Sequence, residues 1–254
     1  MMMNLNNLLE LVKEAALKGG EEILKIYDTD FSVEEKDDNS PLTQADKNAN
    51  IVIEEILKET NIPILSEEGR DIDYSERKDW EYLWIVDPLD GTKEFVKRNG
   101  EFTVNIALIH KGVPILGVIY VPVKKWLYYG HMEIGSFKVE NGELEKLPRQ
   151  IAKEKYVAVG SRSHKSPETE AYFNELSEEH GEIDVVSMGS SLKICLVAEG
   201  IADEYPRFAP TMEWDTAAGH AIAKYAGKDF IDYKTKAEMV YNREELLNNW
   251  FLVK

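Results

Sequence analysis

The chain of 254 residues carries 47 Asp and Glu against 30 Lys and Arg, a formal charge of −17, with 43% hydrophobic and 30% charged residues. That length buries a sizeable core without disulfides, and that charge balance lacks the clustered cations a nucleic acid polymer requires. The lone cysteine, Cys195, excludes an intramolecular disulfide, and no stretch approaches the ~20 apolar residues of a membrane span.

Residues 5–27 have a helical period, with Leu5, Leu8, Leu9, Val12, Ala15, Ala16, Ile23 and Ile26 on one stripe. Gly19-Gly20 either breaks that helix or lets it approach a neighbour closely. The N-terminal stretch is not expected to act as a signal peptide, because Glu10, Lys13 and Glu14 interrupt any apolar core. Residues 28–43 are polar and rich in turn formers, which predicts a hairpin or mobile loop. A second amphipathic helix is expected at about 45–59, then a short strand, IPIL, at 62–65. The continuous apolar run YLWIV at 82–86 predicts a central strand covered on both faces. Strands at about 102–110, 115–121 and 126–130 follow, separated by turns, as an antiparallel meander. The polar stretch 131–155, with Gly135 and Asn141-Gly142, predicts a hairpin and a connection. The second half reads as strand 155–161, helix 167–180, strand 184–189, helix 190–200 and a helix from about Trp214 to 226. Cys195 sits in the apolar run ICLVA and is expected to be a buried, unreactive thiol.

Three acidic motifs carry candidate chemistry. Asp87-Pro88-Leu89-Asp90-Gly91-Thr92 follows the apolar strand directly. Pro88 fixes its own φ and Gly91 permits an unusual one, so both carboxylates and the Leu89 carbonyl can aim at one point. Hard divalent cations take such oxygen-only sets. The competing reading is a plain strand-to-helix turn with Asp90 or Thr92 as N-cap. Glu67-Glu68 after IPIL is either a solvated acidic pair or part of the same cluster. Asp215, in Trp214-Asp215-Thr216-Ala217-Ala218-Gly219, is either an N-cap or a third contributor, and the small residues after it allow close helix packing. Together the motifs suggest two-metal phosphoryl transfer, in which crowded carboxylates are relieved by cations about 4 Å apart.

The three blocks resemble, in order, the lithium-sensitive inositol monophosphatase superfamily, whose pattern is Glu-Glu, Asp-Pro-Ile/Leu-Asp-Gly-Thr and Trp-Asp-x-Ala-Ala-Gly. SPLTQAD (40–46) resembles that family's upstream block. Lys93-Glu94-Phe95, VGSRSH (159–164) and the stretch from Gly189 to Gly219 resemble its branch acting on 3′(2′),5′-bisphosphorylated nucleotides. The resemblance implies a layered αβαβα sandwich. Its halves would be 1–150, with most metal ligands, and 151–254, with Asp215 and the nucleotide-binding residues. It implies two or three Mg²⁺. Glu67, Asp87 and the Leu89 carbonyl would hold one, and Asp87, Asp90 and Asp215 the second. Thr92, paired with Asp46, would orient and deprotonate the attacking water, with Glu68 behind Glu67. The helix start at Gly91 and Thr92 would receive phosphate oxygens. Gly189, Ser190, Lys193 and Arg207 would hold the nucleotide, the two cations on its second phosphate. Ser190 and Lys193 are expected on one helix face; alternatively Lys193 snorkels and Arg207 makes a surface pair. Ser161, Arg162 and His164 are placed toward the adenosine side, and the 28–43 loop is given no role beyond lid closure.

The activity so implied is hydrolysis of adenosine 3′,5′-bisphosphate to AMP and phosphate by a cytoplasmic enzyme clearing a by-product of sulfate assimilation. Peripheral contact with the inner membrane is left open. Rival readings are an inositol monophosphatase, a fructose 1,6-bisphosphatase, a phosphatase of 2′-phosphorylated dinucleotides, or a catalytically dead metal-binding regulator. The oligomeric state is not legible in the sequence.

Overall fold

A computed structural model describes residues 4–29, 41–160 and 166–254. In chain order the elements are α1 (Leu5–Tyr27), α2 (Pro41–Leu57), β1 (Ile64–Ser66), α3 (Tyr74–Arg77), β2 (Tyr82–Asp90), α4 (Thr92–Val96) and β3 (Thr103–His110). There follow β4 (Val113–Val121), β5 (Trp126–His131), β6 (Gly135–Glu140), β7 (Glu143–Leu147) and β8 (Tyr156–Gly160). The chain ends with α5 (Pro167–His180), β9 (Ile183–Ser187), α6 (Leu192–Glu199), β10 (Tyr205–Arg207), α7 (Glu213–Tyr225), β11 (Phe230–Asp232) and β12 (Phe251–Val253).

The expected meander is present. β1 to β7 form one sheet in sequence order, antiparallel throughout except for the parallel β1–β2 pair. Its central strands sort their side chains by the two-residue period. Trp84, Val86, Val104, Ile106 and Leu108 join one core beneath α1 and α2, while Leu83, Ile85, Ala107 and Ile109 join a second core with α6 and α7. Both faces being covered explains the unbroken apolar run of β2. Beyond α6 and α7 lie a parallel pair, β8–β9, and a three-stranded sheet in the order β10–β12–β11. A bridge between Ala158 and Glu204 joins them, and α5 packs on β8, β9 and β10. The layers run helix, sheet, helix, sheet, helix, as the sequence resemblance implied.

Of the two readings of Gly19-Gly20, the close approach holds and the break does not, while other expectations need correction. A Cβ at Gly19 would lie 2.7 Å from Ile53 Cδ1, and one at Gly20 2.5 Å from the Tyr120 ring, so both glycines serve close packing. α2 begins at Pro41, not near 45, because proline suits the first helical position and needs no N–H partner there. The polar segment predicted over 28–43 therefore loses its last three residues to that helix, and 30–40 lie outside the described residues. β2 does not end at Val86. It continues to Asp90, with a register irregularity between Asp87, opposite Asn105, and Asp90, opposite Thr103. Such a bulge accommodates Pro88, which cannot donate to a ladder. The strands of the second sheet have only three residues each, too few to show a period, and β10, β11 and β12 are not legible in the sequence.

The helix bearing Trp214 and Asp215 packs as closely as its small residues allow. A Cβ on Gly117 of β4 would sit 2.4 Å from the Ala218 carbonyl, and one on Gly219 would sit 2.7 Å from Ile194 Cδ1. Where β5 and β6 meet α6, a buried polar group ties the layers. Glu199 accepts Tyr128 Oη at 2.7 Å, Lys138 Nζ at 3.2 Å and Arg149 Nη2 at 2.5 Å.

Candidate metal centre and anion pocket

The bulge in β2 brings Asp87 and Asp90 to the same end of the sheet as the first turn of α7. One carboxylate oxygen from each of Asp87, Asp90 and Asp215 lies within 4.8 Å of the others, the one such grouping among the described residues. Asp87 is 1% exposed and accepts Leu89 N–H at 3.0 Å. Burial, followed by the charges of Glu67, Asp90, Asp215 and Asp46, pushes its carboxyl well above the usual carboxylate range. Asp215 is pushed up to about 7 by burial and by Asp90, although Met212 N–H, at 2.7 Å from Oδ2, opposes the shift.

Five acidic groups thus act on one point. Of the adjacent Glu67 and Glu68, it is Glu67 whose charge is felt at both Asp87 and Asp215. Asp46, buried on α2, adds to the same field. The buried Asn105 Oδ1 is a further acceptor beside them with no hydrogen-bond partner among the described residues. An all-oxygen donor set whose crowded charges repel one another fits a hard divalent cation, which would relieve that repulsion. The plain-turn reading of Asp90 fails, because its carboxylate does not cap α4. Asp90 Oδ2 instead accepts Ser191 N–H at 2.6 Å and Ser191 Oγ at 2.7 Å. Asp215, by contrast, both belongs to the cluster and bonds its own helix start.

Sequence reasoning missed the residues that hold these acids. Asn105 Nδ2 donates to Ser191 Oγ at 2.9 Å and to Asp90 Oδ2 at 3.4 Å, and Ser191 Oγ lies within reach of the Asp215 carbonyl at 2.8 Å as well as of Asp90, its one proton serving either acceptor. Thr103 Oγ1 lies 3.5 Å from Asp90 Oδ2. The signal was available: Thr103 and Asn105 are two polar residues at strand spacing inside an otherwise apolar run.

Gly91, at φ +96°, starts α4, which has five residues only. Phosphate binding there would rest on the first-turn N–H groups of Thr92 and its neighbour more than on a long helix dipole. Ser190 and Lys193 do not share a helix face as expected. Ser190 has φ +45° and stands before α6, with its Oγ 3.2 Å from Thr103 Oγ1. The loop is pressed against the β2–β3 connection. Gly189 N–H donates to Glu101 at 2.8 Å, and a Cβ on Gly189 would lie 2.5 Å from Glu94 Cγ.

Lys193 does not snorkel. Its Nζ turns back to the carbonyls of Ser190 at 2.7 Å and Met188 at 3.2 Å, and burial lowers its pKa to about 8. With Arg207 it lines a cavity of about 90 Å³ whose wall also contains Asp90, Ser191, Tyr205 and Asp215. Arg207 Nη2 donates to the Pro210 carbonyl at 3.2 Å, while its buried Nε has no partner among the described residues. A cationic pocket therefore opens directly onto the carboxylate cluster. Cys195 is fully buried and its thiol is pushed well above its ordinary range, which leaves it inert. Ser161, Arg162 and His164 lie outside the described residues.

The chain belongs to the inositol monophosphatase family, whose model matches residues 4–252. Within that family it is 47% identical over 250 residues to the 3′(2′),5′-bisphosphate nucleotidase CysQ of Salmonella typhimurium, covering 97% of this chain and 99% of that protein. It is 46% identical to the protein of the same name from Escherichia coli over the same shares. The crystal structure of CysQ from Bacteroides thetaiotaomicron matches with a TM-score of 0.92 at 53% identity, over 96% of each chain.

Proposed function

We propose that the chain hydrolyses the 3′-phosphate of adenosine 3′,5′-bisphosphate to give AMP and phosphate. The observation that carries this reading is the shared wall between the acidic cluster and the cationic pocket. Asp90 and Asp215 line the same cavity as Lys193 and Arg207. A monophosphate ester needs the acidic cluster alone, whereas a bisphosphate can engage both. Identity of 47% over nearly the whole chain to a named nucleotidase supports the same substrate class.

Glu67, Asp87, the Leu89 carbonyl, Asp90 and Asp215 would hold two or three Mg²⁺. Bound there, the ions supply a water of lowered pKa and charge compensation at the leaving oxygen. The protein's own groups do the rest. Asp46 draws the proton of Thr92 Oγ1, so that this oxygen accepts one from the attacking water, and Glu68 supports Glu67 from behind. The N–H groups at Gly91 and Thr92 receive the oxygens of the reacting phosphate. Gly189 lets the loop backbone approach, Ser190 and Lys193 hold the nucleotide, and Lys193 with Arg207 faces the second phosphate. Among the described residues no helix is long and apolar enough to cross a membrane, and the buried, unpaired Cys195 supports a reducing, cytoplasmic setting.

The test is phosphate release from adenosine 3′,5′-bisphosphate with Mg²⁺, with chelator, and by Asp90→Asn. The reading expects turnover in the first case only, with Asp90→Asn slower by at least ~10³-fold. Full activity in Asp90→Asn would remove the acidic cluster from the mechanism.

A further inference from the structure

The first turn of α7 carries Asp215, and it is not capped in the usual way. Its N-cap is Met212, whose side chain makes no capping hydrogen bond. The C-terminal segment takes over that task. Leu247 bridges to Met212, Glu213 N–H donates to the Leu246 carbonyl at 2.9 Å, and Asn248 N–H donates to the Thr211 carbonyl at 2.8 Å. The fully buried Glu213 carboxylate accepts Asn242 N–H at 2.7 Å and Arg243 N–H and Nε at 3.1 Å each.

Asn248 is at the centre of this arrangement. It is 6% exposed. Its amide nitrogen lies 2.7 Å from the Met212 carbonyl, 3.0 Å from Thr216 Oγ1 and 3.1 Å from Thr211 Oγ1. Its oxygen accepts Arg243 Nη2 at 2.9 Å. Two N–H protons are thus shared among three acceptors, and the orientation of the amide is fixed by Arg243, which can only donate to the oxygen.

The residues so gripped bracket Asp215. Met212 N–H is the group that holds Asp215 Oδ2, and Thr216 is the next residue along, lining the cavity. Loss of the Asn248 amide would remove the one side chain that bonds the Met212 carbonyl and Thr216 Oγ1 together, loosening the turn on both sides of Asp215 while the backbone bonds to Leu246 and Thr211 remain. Metal affinity depends steeply on such outer partners, which align a ligand before the ion arrives.

We propose that Asn248 is a positioning residue of the metal centre, acting through Met212 and Thr216 on the Asp215 carboxylate. The inference rests on the reading of Asp215 as a metal ligand. A residue that merely supports the fold would change unfolding stability and leave the affinity of the folded protein for metal unaltered. The two roles separate in a binding measurement that needs no substrate.

The experiment is calorimetric titration of the full chain with Mg²⁺ at pH 7.5, for the wild type, Asn248→Ala and Asn249→Ala. Asn249 is the neighbouring control, since its side chain bonds Asp232, at the end of β11, at 2.8 Å. The expected result is Mg²⁺ binding weakened at least ~10-fold in Asn248→Ala and unchanged in Asn249→Ala. Binding within twofold of wild type in folded Asn248→Ala overturns the proposal. Should Asn248→Ala fail to fold, Thr216→Val decides, because it keeps the side-chain shape and deletes one acceptor. Weaker binding then supports the proposal, and wild-type binding overturns it. A wild-type protein that takes up no Mg²⁺ would instead overturn the ligand reading of Asp215 beneath it.

Discussion

Removing a charge from the acidic cluster should stabilise the protein when metal is withheld. The carboxyl of Asp215 is pushed from 3.8 to about 7 by burial and by Asp90. A raised folded-state value means that the native state holds more protons than the unfolded chain between those two limits. The stability linked to this group is therefore fully present below about pH 4 and lost as pH rises through about 7. Three units at about 1.4 kcal/mol each set an upper bound of about 4 kcal/mol for the penalty at pH 7.5. Partial exposure and the shared protons of the cluster reduce the realised figure to about 2 kcal/mol. Asp215→Asn keeps an acceptor for Met212 N–H and removes the charge. Chelated Asp215→Asn should accordingly exceed chelated wild type by about 2 kcal/mol in urea unfolding at pH 7.5, and match it at pH 4. Saturating Mg²⁺ at 100 times its dissociation constant should add about 2.7 kcal/mol to the wild type and little to the variant, which reverses the order. If chelated Asp215→Asn proves less stable than wild type at pH 7.5, the electrostatic account of the site is wrong.

Other consequences can be measured separately. Lys193→Ala should raise KM for adenosine 3′,5′-bisphosphate at least ~10-fold, the value of a charged hydrogen bond, while leaving KM for a monophosphate ester within about twofold. Because the pKa of Lys193 is lowered to about 8, the cation is present below that pH and lost above it. KM for the bisphosphate should rise above pH 8 in wild type, and Lys193→Arg should abolish that rise in steady-state assays. Glu199→Gln removes the charge and one of the two carboxylate oxygens that accept Tyr128, Lys138 and Arg149. It should cost about 2–4 kcal/mol in equilibrium unfolding, less than a fully isolated buried charge because Lys138 retains Glu140 at 2.7 Å.

The acidic motifs were legible because they are local. Asp87, Asp90 and Asp215 each stand at the end of a recognisable strand or start of a recognisable helix, and the fold needs only to close those ends together. The apolar runs of β2 to β5 were legible for a similar reason: strands covered on both faces leave long unbroken signals. The bulge that aims Asp87 and Asp90 was not, since a register irregularity shows only against the partner strand. Ser191 was missed because its role depends on contact with Asp90, about a hundred residues away in the chain. The segment 239–249 acts through backbone groups, the Asn248 amide and the Arg243 guanidinium, and backbone hydrogen bonds leave no mark in residue type. The expectation for Ser190 failed on the backbone itself, whose positive φ puts it outside α6.

The central claim is that the acidic cluster and the Lys193–Arg207 pocket act on one bisphosphorylated nucleotide. The most direct test is kcat/KM for adenosine 3′,5′-bisphosphate against inositol 1-phosphate, with the same enzyme and Mg²⁺. The account predicts a preference for the nucleotide of at least ~100-fold, equivalent to about 2.7 kcal/mol of extra transition-state binding from the second phosphate and the base. Equal or better turnover of inositol 1-phosphate would contradict it, leaving a metal-dependent phosphatase whose cationic pocket serves some other purpose.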